Sequence, residues 1–233
     1  MSKDKTEGKY MRQVRSFVLR QGRLTKGQEL ALEEAWPIFG IERGDSLLDL
    51  NTLFGNDAPV TLEIGFGDGV SLAMMAENDP DRNFIGIEVH RPGVGRLLHL
   101  IQEKGLSNVR VLDDDAVQII KHRIAENSLD RVQLFFPDPW HKKRHNKRRI
   151  VQPDFLTLIA SRLKAEGVFH LATDWEEYAH HMAETLESSK EFESILGSAF
   201  VPKPESRPIT KFERRGLKLG HGVWDLLYKK TTL

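Results

Sequence analysis

Residues 60–69 read VTLEIGFGDG. The first half is a β-branched, mostly apolar run of strand length, and the second half places three glycines at G-x-G-x-G spacing. Glycine suits such a turn because a tight strand-to-helix reversal needs positive φ and a bound ligand must approach the backbone closely. Helical spacing follows over 70–77. The alternation then repeats, with strands at 83–88, 109–112, 132–136 and 167–172 and helices at 95–104, 116–124, 154–163 and 175–188. Strands alternating with helices predict an α/β fold: a mostly parallel sheet, right-handed crossovers and helices on both faces. Two last strands, 192–196 and 223–228, flank a long loop and predict an antiparallel hairpin at the C-terminal edge.

Upstream of residue 60 the pattern is looser. Residues 1–25 carry few apolar groups and read as a mobile arm, 28–36 as a short helix ended by Pro37, and 47–54 as a second short helix. The expected organisation is a basic N-terminal arm with a short helix over 1–40, then one domain over 41–233.

A chain of 233 residues is long enough for one sizeable core. The absence of cysteine excludes disulfides, thiolate metal sites and cysteine nucleophiles. No apolar run reaches the length of a membrane span, and the polar, basic N-terminus lacks the apolar core of a signal peptide, so the expected compartment is the cytoplasm. Lys+Arg and Asp+Glu both number 34, so net charge points to no partner. The distribution does. Cations cluster at Arg12, Arg15, Arg20, Arg23 and Lys26, again after Trp140, and a third time from Lys203 through Arg207, Lys211, Arg214, Arg215 and Lys218. Local clusters of this kind attract phosphates.

Three acids sharpen the glycine loop. Glu63 precedes Gly65, Gly67 and Gly69, Glu88 ends the second strand, and Asp115 follows the third. An acid at the end of the second strand commonly accepts hydrogen bonds from both ribose hydroxyls. Asp115 falls beside the expected place of an adenine amino group, whereas Asp113 and Asp114 read as solvated turn residues. A carboxylate at position 63 would repel a pyrophosphate and attract a sulfonium or ammonium. The loop therefore suits S-adenosylmethionine better than a dinucleotide, whose G-x-G-x-x-G signature it also lacks. The pattern resembles the class I methyltransferases, with their Rossmann-like sheet.

The fourth strand ends in residues 136–149, FPDPWHKKRHNKRR. It sets Asp138 between two prolines, then Trp140, then a cationic tract, at the end of a strand where open α/β sheets place their chemistry. Trp140 offers a stacking face, worth roughly 1–3 kcal/mol per base where one is used. A carboxylate is acceptor-only. The acid-proline-aromatic order resembles the signature that base-modifying methyltransferases carry at this loop, which implies a base as acceptor. With guanine, Asp138 would match the N1–H and N2–H donors and leave N7 free to face a sulfonium, a transfer that needs no general base. His141 and His145 are spaced i, i+4, but among so many cations they read as RNA- or solvent-facing rather than as metal ligands.

Residues 137–149, the TDW at 173–175 and the RPITKFE at 207–213 together resemble the bacterial tRNA (guanine-N7)-methyltransferases, which modify a variable-loop guanosine. That resemblance runs from about residue 60 to the C-terminus. It implies that Glu63, Gly65, Gly67, Gly69, Glu88, Asp115 and Asp138 serve the S-adenosylmethionine site, with Asp138 also the catalytic candidate. It implies substrate contacts from Lys142, Asp174, Thr210, Lys211, Phe212 and Glu213, and RNA interaction from Arg144, His145, Asn146, Lys147, Arg148 and Arg149. It implies tRNA as the partner, with no metal, membrane or protein partner. Asp174 has a second reading as a helix N-cap, Glu213 as a surface ion pair, and Phe212 as a loop anchor.

Two rivals stand beside this reading. One is a class I methyltransferase acting on an exocyclic amine or a small molecule, and three basic clusters oppose the small-molecule form. The other is an RNA-binding protein that keeps the fold without the cofactor, which the intact glycines and acids oppose.

Overall fold

The computed structural model describes residues 16–17, 22–210, 213–214 and 222–232. Among them, β1 (Val60–Ile64), β2 (Asn83–Glu88), β3 (Val109–Asp113), β4 (Leu129–Phe135), β5 (Leu163–Thr173), β6 (Phe192–Ser194) and β7 (Trp224–Lys230) form one sheet. Its order is β3-β2-β1-β4-β5-β7-β6. The first five strands pair in parallel, and β7 inserts antiparallel between β5 and β6. The expected hairpin is therefore present, with the last strand inside it and the short β6 at the edge. All five residues of β1 are buried, as a strand covered on both faces requires.

The helices are α1 (Lys26–Glu34), α2 (Trp36–Phe39), α3 (Leu50–Phe54), α4 (Val70–Asn78), α5 (Arg91–Lys104), α6 (Ala116–Arg123), α7 (Pro153–Arg162) and α8 (Glu176–Glu187). Apolar residues form two clusters. One draws on α1, α4 and α5, the other on α6, α7 and α8. Helix α1 starts two residues before the reading at 28, because Thr25 and Gln28 form a capping box. It docks on α5, where Gln28 Nε2 donates to Pro92 O (3.0 Å) and a Cβ at Gly95 would meet Gln28. Helix α5 likewise starts at Arg91 rather than 95, with Pro92 in its first turn, where the missing N–H breaks no helical bond. Strand β5 begins earlier than 167 because Leu163 pairs with Leu129 before a register shift.

The order of strands reverses between β1 and β4. That switch point opens a crevice at their carboxyl ends. The glycine loop after β1 and the PDPW loop after β4 face each other across it. Among the described residues no helix is long and apolar enough to cross a membrane.

Candidate active site

The glycines at the end of β1 divide into two roles. Gly65 (φ 69°) and Gly67 (φ 62°) occupy the left-handed region, and a Cβ on either would project into open space. They leave a cradle that side chains would fill. Gly69 is also left-handed, but a Cβ there would meet Leu97 of α5 at 2.6 Å. Its function is helix packing, so the structure does not bring Gly69 to the cavity with the other two. Gly93 makes the same close approach from α5, where a Cβ would lie 2.0 Å from Gly67 O.

Two adjoining cavities meet at Gly65, Phe135 and Phe136. The first, about 220 Å³, is lined among others by Glu88, Asp115, Pro137 and Asp138. Glu88 already holds the loop: its Oε2 accepts from Gly67 N (2.9 Å) and its Oε1 from Val89 N and His90 N. Asp115 caps α6 through Val117 N (3.0 Å). Both carboxylates are thus oriented by backbone donors before any ligand arrives, with acceptor capacity left over. Asp138 is exposed at the same cavity.

The second cavity, about 250 Å³, lies between the N-terminus of α4 and Ile209, Thr210 and Arg214. Glu63 lines it, only 3% exposed, with Oε2 lacking a hydrogen-bond partner among the described residues. Burial, with the Glu88 charge adding to it, raises the Glu63 pKa to about 8. Ser71 Oγ is a second unpartnered buried oxygen of this wall. Arg214 lines the far wall of this cavity, and Glu63 itself has no hydrogen-bonding partner for Oε2 among the described residues. Together with the open glycine cradle, that donor set fits the adenosyl and sulfonium-bearing amino-acid portions of S-adenosylmethionine. Among the described residues no group of three His, Cys, Asp or Glu could hold a metal ion.

The PDPW loop is held in an unusual shape. Phe136 (φ 51°) and Trp140 (φ 46°) flank it, both bulky residues in the left-handed region. Such conformations cost about 1–3 kcal/mol each and persist only where the surroundings hold them. Phe136 N donates to Ala172 O (2.8 Å), and Trp140 Nε1 donates to Ser16 O (3.0 Å). Asn146, with its amide nitrogen turned to the chain, donates to Trp140 O (3.0 Å) and Lys142 O (3.2 Å). Arg149 Nε donates to Pro139 O (2.9 Å), and its guanidinium sits 4.9 Å from the Tyr178 ring centre.

This arrangement sorts the basic run, which forms a 3-10 helix over Lys143–Arg148. Arg149 is 3% exposed and pairs with Glu177 (3.2 Å), so it is a strut of the loop and not an RNA-facing cation. Arg148 lies 3.8 Å from the Trp140 ring centre and donates to Phe17 O. One face of Trp140 is therefore covered, and the ring is not the free stacking platform its sequence suggests. Lys142, Lys143, Arg144 and Lys147 are exposed. His145 is crowded by partial desolvation and by Arg144, Arg148, Lys142 and His141, which lower its pKa and keep it neutral near neutral pH.

Asp174 is half-buried, and the N-cap position of α8 is Trp175, with no side-chain cap; the helix-cap reading of Asp174 is not met. Trp175 itself is 39% exposed and leans toward His141, an aromatic face that the sequence reading passed over. Thr210 lines the second cavity. Lys211 and Phe212 lie outside the described residues. Glu213 is turned inward at 3% exposure, and both of its oxygens accept from Arg207 (2.6 and 3.1 Å). It is neither a surface ion pair nor a presented base-edge acceptor. Arg207, Asp225 and His170 complete this buried cluster. Arg207, which the sequence groups with the phosphate-attracting cations, is buried in ion pairs instead, and Asp225 and His170 are functional-site residues that the sequence reading does not single out. The signal available was a histidine and an aspartate inside otherwise apolar strands.

The sheet order, the cradle and the acids define a methyltransferase of the class I fold. A family model described as "Putative methyltransferase" matches residues 57–226. A solved 16S rRNA methyltransferase, KamB, superposes with a TM-score of 0.58 over 83% of this chain and 99% of its own, at 14% identity, a likeness of fold alone. A tRNA (guanine-N(7)-)-methyltransferase of Alcanivorax borkumensis is 60% identical over 98% of this chain and 96% of its own. One of Klebsiella pneumoniae is 58% identical over 96% and 94%. The chain belongs to the bacterial tRNA (guanine-N7)-methyltransferase family.

Proposed function

We propose that this chain transfers the methyl group of S-adenosylmethionine to N7 of the variable-loop guanine at position 46 of tRNA, in the cytoplasm. The observation that carries the reading is the meeting of Asp138 with Glu88 and Asp115 around one cavity, beside the buried acid Glu63. When bound, S-adenosylmethionine supplies an electrophilic methyl on a sulfonium. Glu88 and Asp115 hold the nucleoside portion, and Glu63 supplies the counter-charge. Asp138 accepts from the N1–H and N2–H edge of the guanine and fixes its plane. N7 carries no proton, so no side chain needs to remove one. Lys142, Asp174 and Thr210 face the target nucleoside, while Arg144, His145 and Lys147 serve the RNA backbone.

Methyl transfer from labelled cofactor to unmodified tRNA, followed by nucleoside analysis, tests this. The expected product is 7-methylguanosine, and Asp138→Asn should lower kcat roughly a hundredfold, the scale of one lost electrostatic contact at a reacting group. Label on another nucleoside, or full activity in Asp138→Asn, would overturn the reading.

A further inference from the structure

Arg207 is fully buried and makes charge-assisted hydrogen bonds to two carboxylates. Its Nε and Nη2 donate to Asp225 of β7 (2.6 and 2.8 Å), and its Nη1 and Nη2 donate to Glu213 (2.6 and 3.1 Å). The guanidinium lies 5.9 and 5.7 Å from the ring centres of Phe135 and Phe136, the end of the strand that carries the PDPW loop. On the other side, His170 Nε2 lies 2.9 Å from Asp225 Oδ1. An ionised carboxylate only accepts, so that nitrogen is the donor. Burial lowers the His170 pKa despite Asp225, so the imidazole is neutral.

The chain between these anchors is tied to itself as well. Thr210 N donates to Glu213 Oε2 (3.4 Å), Glu213 N donates to Thr210 Oγ1 (3.1 Å), and Arg214 N donates to Thr210 O (3.0 Å). Ile209, Thr210 and Arg214 thereby form the wall of the second cavity across from Glu63. Planar, bidentate pairing on two sides is geometry that arginine supplies and lysine does not.

We propose that Arg207 is a positioning residue: clamped between Asp225 and Glu213 over the Phe135 and Phe136 rings, it fixes Ile209, Thr210 and Arg214 as the acceptor-side wall of the active site. Glu213 then acts through Arg207 and not on the RNA. The inference rests on the reading above that this wall faces the target nucleoside.

The test compares Arg207→Lys and Glu213→Gln with Thr210→Ala and Arg214→Ala. It measures S-adenosylhomocysteine affinity by calorimetry, steady-state kinetics on unmodified tRNA, and amide hydrogen exchange. Arg207→Lys is expected to keep cofactor affinity within about twofold and to lower kcat/KM for tRNA at least tenfold, mainly through KM. Exchange at the amides of Thr210, Glu213 and Arg214 should rise while β1 and β4 stay protected. Glu213→Gln, which preserves size and is the variant to rely on if Arg207→Lys does not fold, should shift the same readouts in the same direction. Wild-type kcat/KM in Arg207→Lys would overturn the proposal. So would equal losses of cofactor and tRNA binding, or a tRNA defect in Glu213→Gln with unchanged exchange. If Thr210→Ala and Arg214→Ala leave KM for tRNA unaltered, the wall does not face the nucleoside, and both readings fall together. A raised KM in those two with none in Arg207→Lys would sink the positioning role alone.

Discussion

Glu63 and Gln133 stand in register on β1 and β4, and each buries a side-chain oxygen with no hydrogen-bond partner among the described residues. Gln133 is in turn in register with His170 on β5. A polar row thus crosses this sheet face, from the glycine cradle to the Arg207 cluster. A buried polar atom is expensive to leave unpaired, so each of these oxygens is a place for a water, an ion or a ligand group to bind.

The raised Glu63 pKa has a sign that can be checked. The folded-state value is about 8 against an ordinary 4.5, so the folded protein binds the extra proton between those two values. The contribution to stability is therefore fully present below 4.5 and is lost as pH rises toward about 8. A cation in the second cavity favours the carboxylate, so cofactor affinity should rise with pH up to about 8, and binding near pH 7 should release a proton. Calorimetry in two buffers of different ionisation enthalpy reads that proton directly. Glu63→Gln should abolish the release, weaken cofactor binding and raise the melting temperature of the free protein above pH 7. An unchanged proton count would show that Glu63 is already ionised.

The glycines of the loop should fail in different ways. Gly69→Ala drives a methyl group against Leu97 besides taking a left-handed backbone, so it should lower the melting temperature and loosen the contact between α4 and α5. Gly65→Ala and Gly67→Ala meet no protein atom, so their cost to the free protein is the left-handed strain alone, about 1–2 kcal/mol. Their larger effect should appear in cofactor affinity. Thermal melts and calorimetry on the three variants separate these outcomes.

The basic run should divide between RNA binding and folding. Replacing the exposed Lys143, Arg144 and Lys147 with alanine should flatten the log–log salt dependence of tRNA affinity by about 0.7 per lost phosphate contact. Arg149→Ala should instead destabilise the protein, because the Pro139, Tyr178 and Glu177 contacts are lost together. A parallel loss of slope in Arg149→Ala without a change in melting temperature would contradict the buried position.

Removing one partner of a buried charge cluster usually costs about 3–5 kcal/mol, because the remaining charge is left uncompensated. Asp225→Ala removes the acceptor of both Arg207 and His170, so it should be among the most destabilising single changes in the chain. Chemical denaturation would show it as a lower midpoint. Asp225→Asn, which keeps one acceptor oxygen, should lie between the two.

The sequence alone determined the class of fold, the cradle at Gly65 and Gly67, and the acids at 63, 88, 115 and 138. All of these follow from local order along the chain, because a strand, a turn and the residue at the strand's end are neighbours in sequence. Even the misplaced starts of α1 and α5 were local errors, a capping box and an N-terminal proline given too little weight. What only the tertiary structure decided was direction. Arg149 and Glu213 look like any charged residues of a polar loop until the chain turns them inward onto Tyr178 and Arg207. Gly69 and Gly67 are alike until α5 packs against one and leaves space beside the other. Burial, ion pairing and close approach depend on which distant segment arrives at a side chain, and one-dimensional spacing does not carry that information.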